Sequence, residues 1–230
     1  MNFTNICEAL VQAFNLSKEK NEGRLADYIP ELAKVNPNLF SATVTTVNGD
    51  SFSVGDQTQL FSLQSTSKPI VYSLALKQHG TNYVHSRVGV EPTGEAFNSI
   101  IELEKQSHRP FNPMINSGAI ATTSLIRSEN GISKLQLIVN YISELAGRPL
   151  SIDTDIFNSE RETAHRNRAI AHLMKHFDVM TSDIEETLDN YFNQCSILVT
   201  TQDLATIAAT MATQGRQPMT NKQLITPDHV

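Results

Sequence analysis

One β-hairpin signal stands out in a sequence whose other patterns are mostly helical. Residues 41–47 are rich in β-branched side chains, Asn48-Gly49-Asp50 follows, and residues 51–54 supply a return strand. Asn-Gly between two such runs is the strongest short sequence signal for a hairpin. A two-stranded ribbon is only marginally stable alone and leaves unpaired edges. We therefore expect an α/β protein of the α+β type, helix-rich with an antiparallel sheet that needs further strands.

The other segments predict mostly helices. Helical spacing of apolar residues, or strong helix formers, predict helices over residues 2–16, 116–127, 133–146, 160–177, 182–193 and 202–214, with a short helical turn in residues 26–33. Residues 82–99 contain glycine and proline without a clear period, which predicts an ordered loop. No internal repeat or linker is found, so we expect a single domain over residues 1–230. The chain ends on an extended segment, residues 225–230, and we expect the domain to be incomplete there, with its C-terminal strands missing.

Composition excludes several classes of function. Hydrophobic residues make up 40% of the chain and charged residues 18%, which is ordinary for a soluble globular protein. The net charge of −6, without a basic run, argues against a nucleic-acid partner. No apolar stretch reaches the ~20 residues that span a bilayer, and no secretion signal is seen, so we expect a cytoplasmic protein without a membrane partner. Cys7 and Cys195 fit neither a disulfide framework nor a metal site, and each is predicted to be a small buried residue.

Ser65 and Lys68 form the pattern Ser-x-x-Lys, which predicts an active site. Residues three apart share one face of a helix, with Cβ atoms about 5 to 6 Å apart, so the amine can reach the hydroxyl. A serine needs a base to take its proton, and a lysine can serve once burial disfavours its charged form. Pro69 places the start of the helix close to Ser65. The alternative from these residues alone is an N-capping serine beside a solvated lysine.

No metal or cofactor site is predicted. His172 and His176 have the i, i+4 spacing of a zinc-binding helix, but Leu173 stands where a metalloprotease needs its glutamate. A pair of histidines on a helix surface is the simpler interpretation. The glycines show no phosphate-binding arrangement, and no cofactor motif is found.

Six stretches, in the same order, resemble one protein family, the serine-dependent glutaminases of the β-lactamase-like fold. They are FSLQSTSK at 61–68, VGVEPTG at 88–94, NPMINSGAI at 112–120, SERET at 159–163, RNRAI at 166–170 and YFNQCS at 191–196. The resemblance runs from about Gly23 to the end of the chain. It implies a β-lactamase/transpeptidase-like fold and a homo-oligomer, a dimer or a tetramer, that needs no cofactor.

The resemblance also implies an activity and its residues. The expected reaction is hydrolysis of L-glutamine to L-glutamate and ammonia through a glutamyl ester of Ser65, with Lys68 as base. Tyr191 joins these two as a catalytic residue, either in the pocket wall or as a proton relay near Lys68. The remaining residues carried over from the family bind substrate, and they are Tyr28, Gln64, Asn116, Glu160 and Asn167.

The chemistry of glutamine suits these residue types. Its α-ammonium and α-carboxylate must each be paired when they leave water. Glu160 is the natural acceptor for the ammonium, and Asn116 and Asn167 can donate to the carboxylate. Each residue has a simpler interpretation by itself, since Glu160 opens a predicted helix, where it would complement the dipole, and Asn167 lies between two arginines.

The chain departs from the family pattern in one respect. Family members continue with a Lys-Ser-Gly segment on a strand that supplies an oxyanion N–H, and this segment is absent from the 230 residues. Loss of one such donor typically costs about 10²- to 10³-fold in kcat. Two alternatives to a glutaminase stay open. One is another enzyme with the Ser-x-x-Lys pattern, a β-lactamase or transpeptidase. The other, which follows from the missing strand, is an inactive module that binds glutamine.

Overall fold

A computed structural model of the chain describes residues 2–20, 22–104 and 108–230. Its α-helices are α1 (Phe3–Lys18), α2 (Ser67–His79), α3 (Thr81–Arg87), α4 (Ile101–Glu104), α5 (Asn116–Leu125), α6 (Lys134–Ala146), α7 (Thr154–Thr163), α8 (His165–His176), α9 (Ile184–Cys195) and α10 (Thr201–Ala212). The strands are β1 (Ser41–Thr45), β2 (Ser51–Gly55), β3 (Phe61–Ser62) and β4 (Leu198–Val199). Short 3-10 helices lie at Leu32–Lys34, Gln64–Thr66 and Pro227–His229.

The predicted hairpin is confirmed. Strands β1 and β2 pair antiparallel from Ser41 opposite Gly55 to Thr45 opposite Ser51. Gly49 in the connecting turn has a φ of +91°, a left-handed conformation that glycine adopts without a steric cost. Because side chains alternate between the faces of a strand, the hairpin presents one polar face and one apolar face.

The two faces of the hairpin pack against different helices. On the polar face, Thr43 Oγ1 donates to Thr201 Oγ1 of α10 at 2.9 Å, and Ser51 Oγ donates to Gln202 Oε1 at 2.8 Å. Helix α1 packs on the hairpin as well, and the ring of its Phe14 stacks on Phe40 with centroids 4.9 Å apart. The hairpin therefore connects the N-terminal helix with α10.

Two apolar clusters form the core, and the helices that carry the predicted site residues join them. The first cluster surrounds α2 and α6 and includes Ile70, Ile138, Ile142 and Leu145. The second surrounds α5, α8 and α9 and includes Ile120, Ile170, Met174 and Phe192. Helix α5 packs against both α2 and α9, so residues at these helix starts and faces come together between the clusters.

Several predictions from the sequence need correction. The single helix predicted over residues 160–177 is wrong, because α7 ends and α8 begins at Ala164, whose ψ of 35° departs from helical geometry. The loop predicted over residues 82–99 is wrong in its first part, where α3 follows directly on Gly80. In residues 26–33 only a 3-10 turn begins, at Leu32. Cys195 is buried as predicted, but Cys7 is only half-buried.

Within the described ranges, no helix combines the length and the apolar character needed to cross a membrane. The same ranges hold no group of three or more His, Cys, Asp or Glu side chains arranged to bind a metal ion.

Candidate active site

The structure brings the predicted site residues together around one pocket. The pocket has a volume of about 350 Å³ and lies where α2, α5, α7, α8 and α9 meet. Of the predicted residues, Tyr28, Gln64, Ser65, Asn116, Glu160, Asn167 and Tyr191 line it. Lys68 is the exception, because its side chain lies behind the wall and reaches Asn116 from there.

Ser65 is exposed in the pocket, in a sharp turn between β3 and α2. The backbone N–H of Leu63 donates to Ile197 O at 2.8 Å, which ties the end of β3 to the segment before β4. The next residue, Gln64, has a φ of +48°, a left-handed conformation that is unfavourable for a residue with a side chain. Such strain persists only where the surrounding structure imposes it, and it is concentrated at functional sites. Here it directs the chain so that Ser65 faces the cavity and helix α2 begins immediately afterwards.

Lys68 is buried one helical turn after Ser65, with 4% of its surface exposed. Its Nζ donates to Met114 O at 3.0 Å and to Asn116 Oδ1 at 2.8 Å. Burial lowers the pKa of Lys68, although the charges of Cys195 and Glu160 oppose this shift. A neutral amine has two N–H donors and one lone pair. The two acceptors match the two donors and leave the lone pair to accept a proton.

Ser65 and Lys68 form no hydrogen bond with each other in the part of the chain that the structure describes. Catalytic hydrogen bonds are often absent or long without substrate and shorten when it binds. The solvated lysine of the alternative interpretation is contradicted by the burial of Lys68.

Asn116 connects Lys68 to Asn167. Because the lysine nitrogen donates, the amide of Asn116 must turn its oxygen toward Lys68 and its nitrogen toward Asn167. Asn116 Nδ2 accordingly donates to Asn167 Oδ1 at 3.0 Å. This contact fixes the second amide in turn, so Asn167 keeps its own NH2 group as a donor on the pocket side.

Glu160 has an unpaired oxygen inside the pocket. The residue is 8% exposed, and no hydrogen-bond partner for its Oε2 is found among the described residues. Burial raises the pKa of Glu160 to about 8, and the nearby charge of Lys68 only partly opposes this. A buried carboxylate without a partner is costly, so this oxygen is suited to a cationic or hydrogen-donating ligand.

Tyr191 and Cys195 lie one turn apart on α9 and complete the inner wall. Burial raises the pKa of both groups well above the usual range, and the Cys195 thiol forms hydrogen bonds with Tyr191 and Ser67. Gln194 Nε2 also donates to Ser67 Oγ, at 3.2 Å. Tyr191 is therefore protonated at neutral pH and held by a polar network that reaches the first turn of α2.

Among the predicted residues, Tyr28 lies at the mouth of the pocket, with 65% of its surface exposed. Other residues of the pocket were not predicted from the sequence. The residues that were missed are Ile29, Phe97, Asn98, Thr163, Ala164, Arg166 and Cys195. Two of these had a usable signal, because Arg166 precedes Asn167 and Cys195 follows Tyr191 by four residues on one helix. Phe97 and Asn98 lie in an irregular segment without any pattern.

Comparison with known proteins identifies the family. The sequence profile of the family described as Glutaminase matches residues 23–230. The chain belongs to the glutaminase family. A glutaminase of Trichormus variabilis is 51% identical over 213 residues, which are 93% of this chain and 64% of that protein. The chain thus spans about 64% of the length of this curated relative.

Solved structures of glutaminases have the same fold. A probable glutaminase, ybaS, superposes with a TM-score of 0.95 at 38% identity, over 99% of this chain and 74% of that one. The protein Mglu, in a structure described as its glutamate form, superposes with a TM-score of 0.91 at 37% identity, over 97% of this chain and 52% of that one. The predicted family and its helix-rich, β-lactamase-like fold with small antiparallel sheets are confirmed.

Proposed function

We propose that this glutaminase-family protein hydrolyses the side-chain amide of L-glutamine to L-glutamate and ammonia. The observation that carries the proposal is one pocket that contains the exposed Ser65, backed by the buried amine of Lys68, and the unpaired carboxyl oxygen of Glu160. Ser65 and Lys68 are suited to attack on an amide, and Glu160 is suited to bind the α-ammonium of an amino acid. The similar protein Mglu has been solved in a glutamate form, and glutamate is the product of the proposed reaction.

The proposed reaction proceeds through a covalent ester. Lys68 accepts the proton of Ser65 Oγ while this oxygen attacks the amide carbon of the substrate. The C–N bond of the tetrahedral intermediate then breaks, and the amide nitrogen takes a proton from Lys68 and leaves as ammonia. A water molecule attacks the glutamyl ester with Lys68 again as base, and the proton returns to Ser65 Oγ as glutamate is released.

The other pocket residues bind and orient the substrate in this proposal. Glu160 accepts a hydrogen bond from the α-ammonium, and Asn167, with Asn116 behind it, donates to the α-carboxylate. Tyr191 keeps its proton because burial raises its pKa, so its hydroxyl donates to groups that become more basic during the reaction. Tyr28 and Gln64 border the pocket at its mouth and beside Ser65. The homo-oligomer, the cytoplasmic location and the single domain stay predictions.

The test is ammonia release from L-glutamine by the wild-type chain and by Ser65→Ala. We expect Ser65→Ala to lower kcat by at least about 10⁴-fold, as removal of a nucleophile does in other serine hydrolases, with an unchanged melting temperature. Ser86→Ala, which removes an exposed hydroxyl from α3, is the matched control and should keep full activity.

The possible results separate the alternatives. Retained activity in Ser65→Ala would exclude Ser65 as the nucleophile. Calorimetric binding of glutamine without turnover by the wild-type chain would favour the glutamine-binding module instead. Hydrolysis of a chromogenic β-lactam in preference to glutamine would favour the β-lactamase alternative.

A further inference from the structure

Arg166 lines the pocket and has an unusual set of contacts for an arginine. It is exposed in the first turn of α8, and its Nε donates to Asn98 O at 2.5 Å. Within the described residues, its guanidinium is not paired with a carboxylate. Arg168, two residues later, lies outside the pocket and is paired, with its Nε 3.5 Å from Glu185 Oε1 and its Nη1 2.7 Å from Arg161 O. The contact with Asn98 holds Arg166 at the pocket by one edge and leaves the two ends of its guanidinium fork available.

The backbone around Arg166 is suited to an anion as well. Helix α8 has twelve residues, and Ala164, which precedes it, makes no side-chain capping hydrogen bond. The first N–H groups of a helix have no acceptor within it, and outside the helices of the described ranges no backbone acceptor is found for those of residues 165–167. Unpaired N–H groups at a helix N-terminus, together with the helix dipole, favour a negative charge. Ala164, Arg166 and Asn167 all line the pocket, so this helix end faces it.

A second and independent feature of the pocket is a buried acidic side chain with an unpaired oxygen. Glu160, on α7 just before the break at Ala164, is more than nine-tenths buried and has the unpaired Oε2 described above. The pocket thus has the acidic side chain of Glu160 before the helix break at Ala164 and the cationic side chain of Arg166 after it. Within the described residues, Glu160 Oε2 has no partner and the Arg166 guanidinium has no carboxylate partner. The α-carbon of a free amino acid carries the complementary pair.

We propose that Arg166, with the first turn of α8, binds the α-carboxylate of the substrate and so restricts the pocket to free amino acids rather than glutamine residues within peptides. This inference rests on the proposed function. In a peptide or in an α-amide the charge at this position is lost, and the unpaired cation and N–H groups would then gain no partner. The amide of Asn167 also lines the pocket and would donate to the same carboxylate.

The test measures binding and not turnover, so it is independent of hydrolysis. In a Ser65→Ala background, calorimetry gives the Kd of L-glutamine and of L-glutamine α-amide, whose carboxylate is replaced by a neutral amide. The same measurements are made after Arg166→Gln, Arg166→Lys and, as the matched control, Arg168→Gln. Arg166 is exposed, so its replacement is expected to leave folding intact, and a melting curve checks this.

We expect Arg166→Gln to weaken glutamine binding by about ten- to a hundred-fold, the range for a charge-assisted hydrogen bond, and to leave α-amide binding unchanged. Arg166→Lys should give an intermediate loss, because lysine keeps the charge without the fork. Arg168→Gln should change neither value.

Three results would overturn the inference. They are an equal loss for both ligands in Arg166→Gln, an equal effect of Arg166→Gln and Arg168→Gln, and no glutamine binding by the parent protein. Selective loss of glutamine binding together with an inactive wild-type chain would support the carboxylate site and reject only the proposed hydrolysis.

Discussion

The two sides of the pocket are built in different ways. The reaction side, Ser65 and Lys68, comes from four consecutive residues, where the 3-10 helix Gln64–Thr66 leads into α2. The binding side, which is Glu160, Arg166 and Asn167, comes from two helices, and the position of Arg166 beside Glu160 depends on the break between these helices at Ala164. If α7 and α8 were one straight helix, residues 160 and 166 would point in directions far apart around the axis, because six residues correspond to about 600° of rotation. The break allows both to line one pocket.

The two sides also differ in what burial does for them. Burial lowers the pKa of Lys68 and raises the pKa of Glu160, so it favours the neutral form of each group. For Lys68 the neutral form is the one that the proposed reaction needs. For Glu160 the charged form is needed, and the ammonium of the substrate would supply the stabilisation that the side chains around Glu160 do not give it. Burial thus favours the form of Lys68 that the proposed reaction needs and disfavours the form of Glu160 that the proposed binding needs.

The largest expected effect comes from removing the amine on the reaction side. Lys68→Met keeps much of the length and the apolar part of the side chain but has no base. We expect kcat for glutamine hydrolysis to fall by about 10⁴-fold, the upper range for a general base. In the wild type, the same amine should make kcat fall as pH decreases through the lowered pKa of Lys68, because only the neutral amine accepts the serine proton. Ammonia release between pH 5 and 9 measures both.

Lys77→Met is the matched control for this prediction. Lys77 lies on the same helix α2, is exposed, and lies outside the pocket, where its Nζ is 5.3 Å from the ring centroid of Tyr141. It should keep wild-type kcat. If Lys68→Met were as active as Lys77→Met, Lys68 would not be the base, and its assignment to the reaction side would be wrong.

The reaction side is local in sequence and the binding side is not, and this explains what the sequence could and could not predict. Ser65 and Lys68 were found because one helical turn relates them, and local geometry is readable from spacing. The hairpin was found for the same reason, at Asn48-Gly49. The break at Ala164 has no glycine or proline to mark it, so residues 160–177 predicted one helix.

The remaining site residues required more than local patterns. Asn116, Glu160 and Asn167 were named through the family resemblance, because each has a simpler interpretation by itself. Their contacts, such as Lys68 with Asn116, join residues 48 positions apart. No periodicity reports such a contact, and the unpaired state of Glu160 is a property of the folded pocket.

The next effect concerns stability on the binding side. Burial raises the pKa of Glu160 to about 8 in the folded chain, from an ordinary value of 4.5, so the folded state binds its proton more tightly than the unfolded state. Its contribution to stability is fully present below pH 4.5 and is lost as pH rises through 8. Glu160→Gln has no such proton to lose. Its free energy of unfolding relative to wild type should therefore increase from pH 4.5 to 8, by roughly 5 kcal/mol at most.

Urea unfolding of both proteins at pH 4.5, 6 and 8 measures this difference. Glu162→Gln is the control, because it removes an exposed carboxylate from the same helix α7. A difference between Glu160→Gln and wild type that stays constant over this pH range would show that Glu160 is not buried without a partner.

The smallest effect is the one on substrate affinity. Glu160→Gln should raise KM for glutamine by about ten- to a hundred-fold with little change in kcat, because the lost hydrogen bond to the α-ammonium is made equally in the ground and transition states. The wild-type KM should fall as pH rises toward 8, since Glu160 must release its proton to pair with the ammonium, whereas the KM of Glu160→Gln should not follow this trend. A large loss of kcat at unchanged KM would instead assign Glu160 to the reaction side. Glu160 would then act through its charge interaction with Lys68 and not by binding the ammonium.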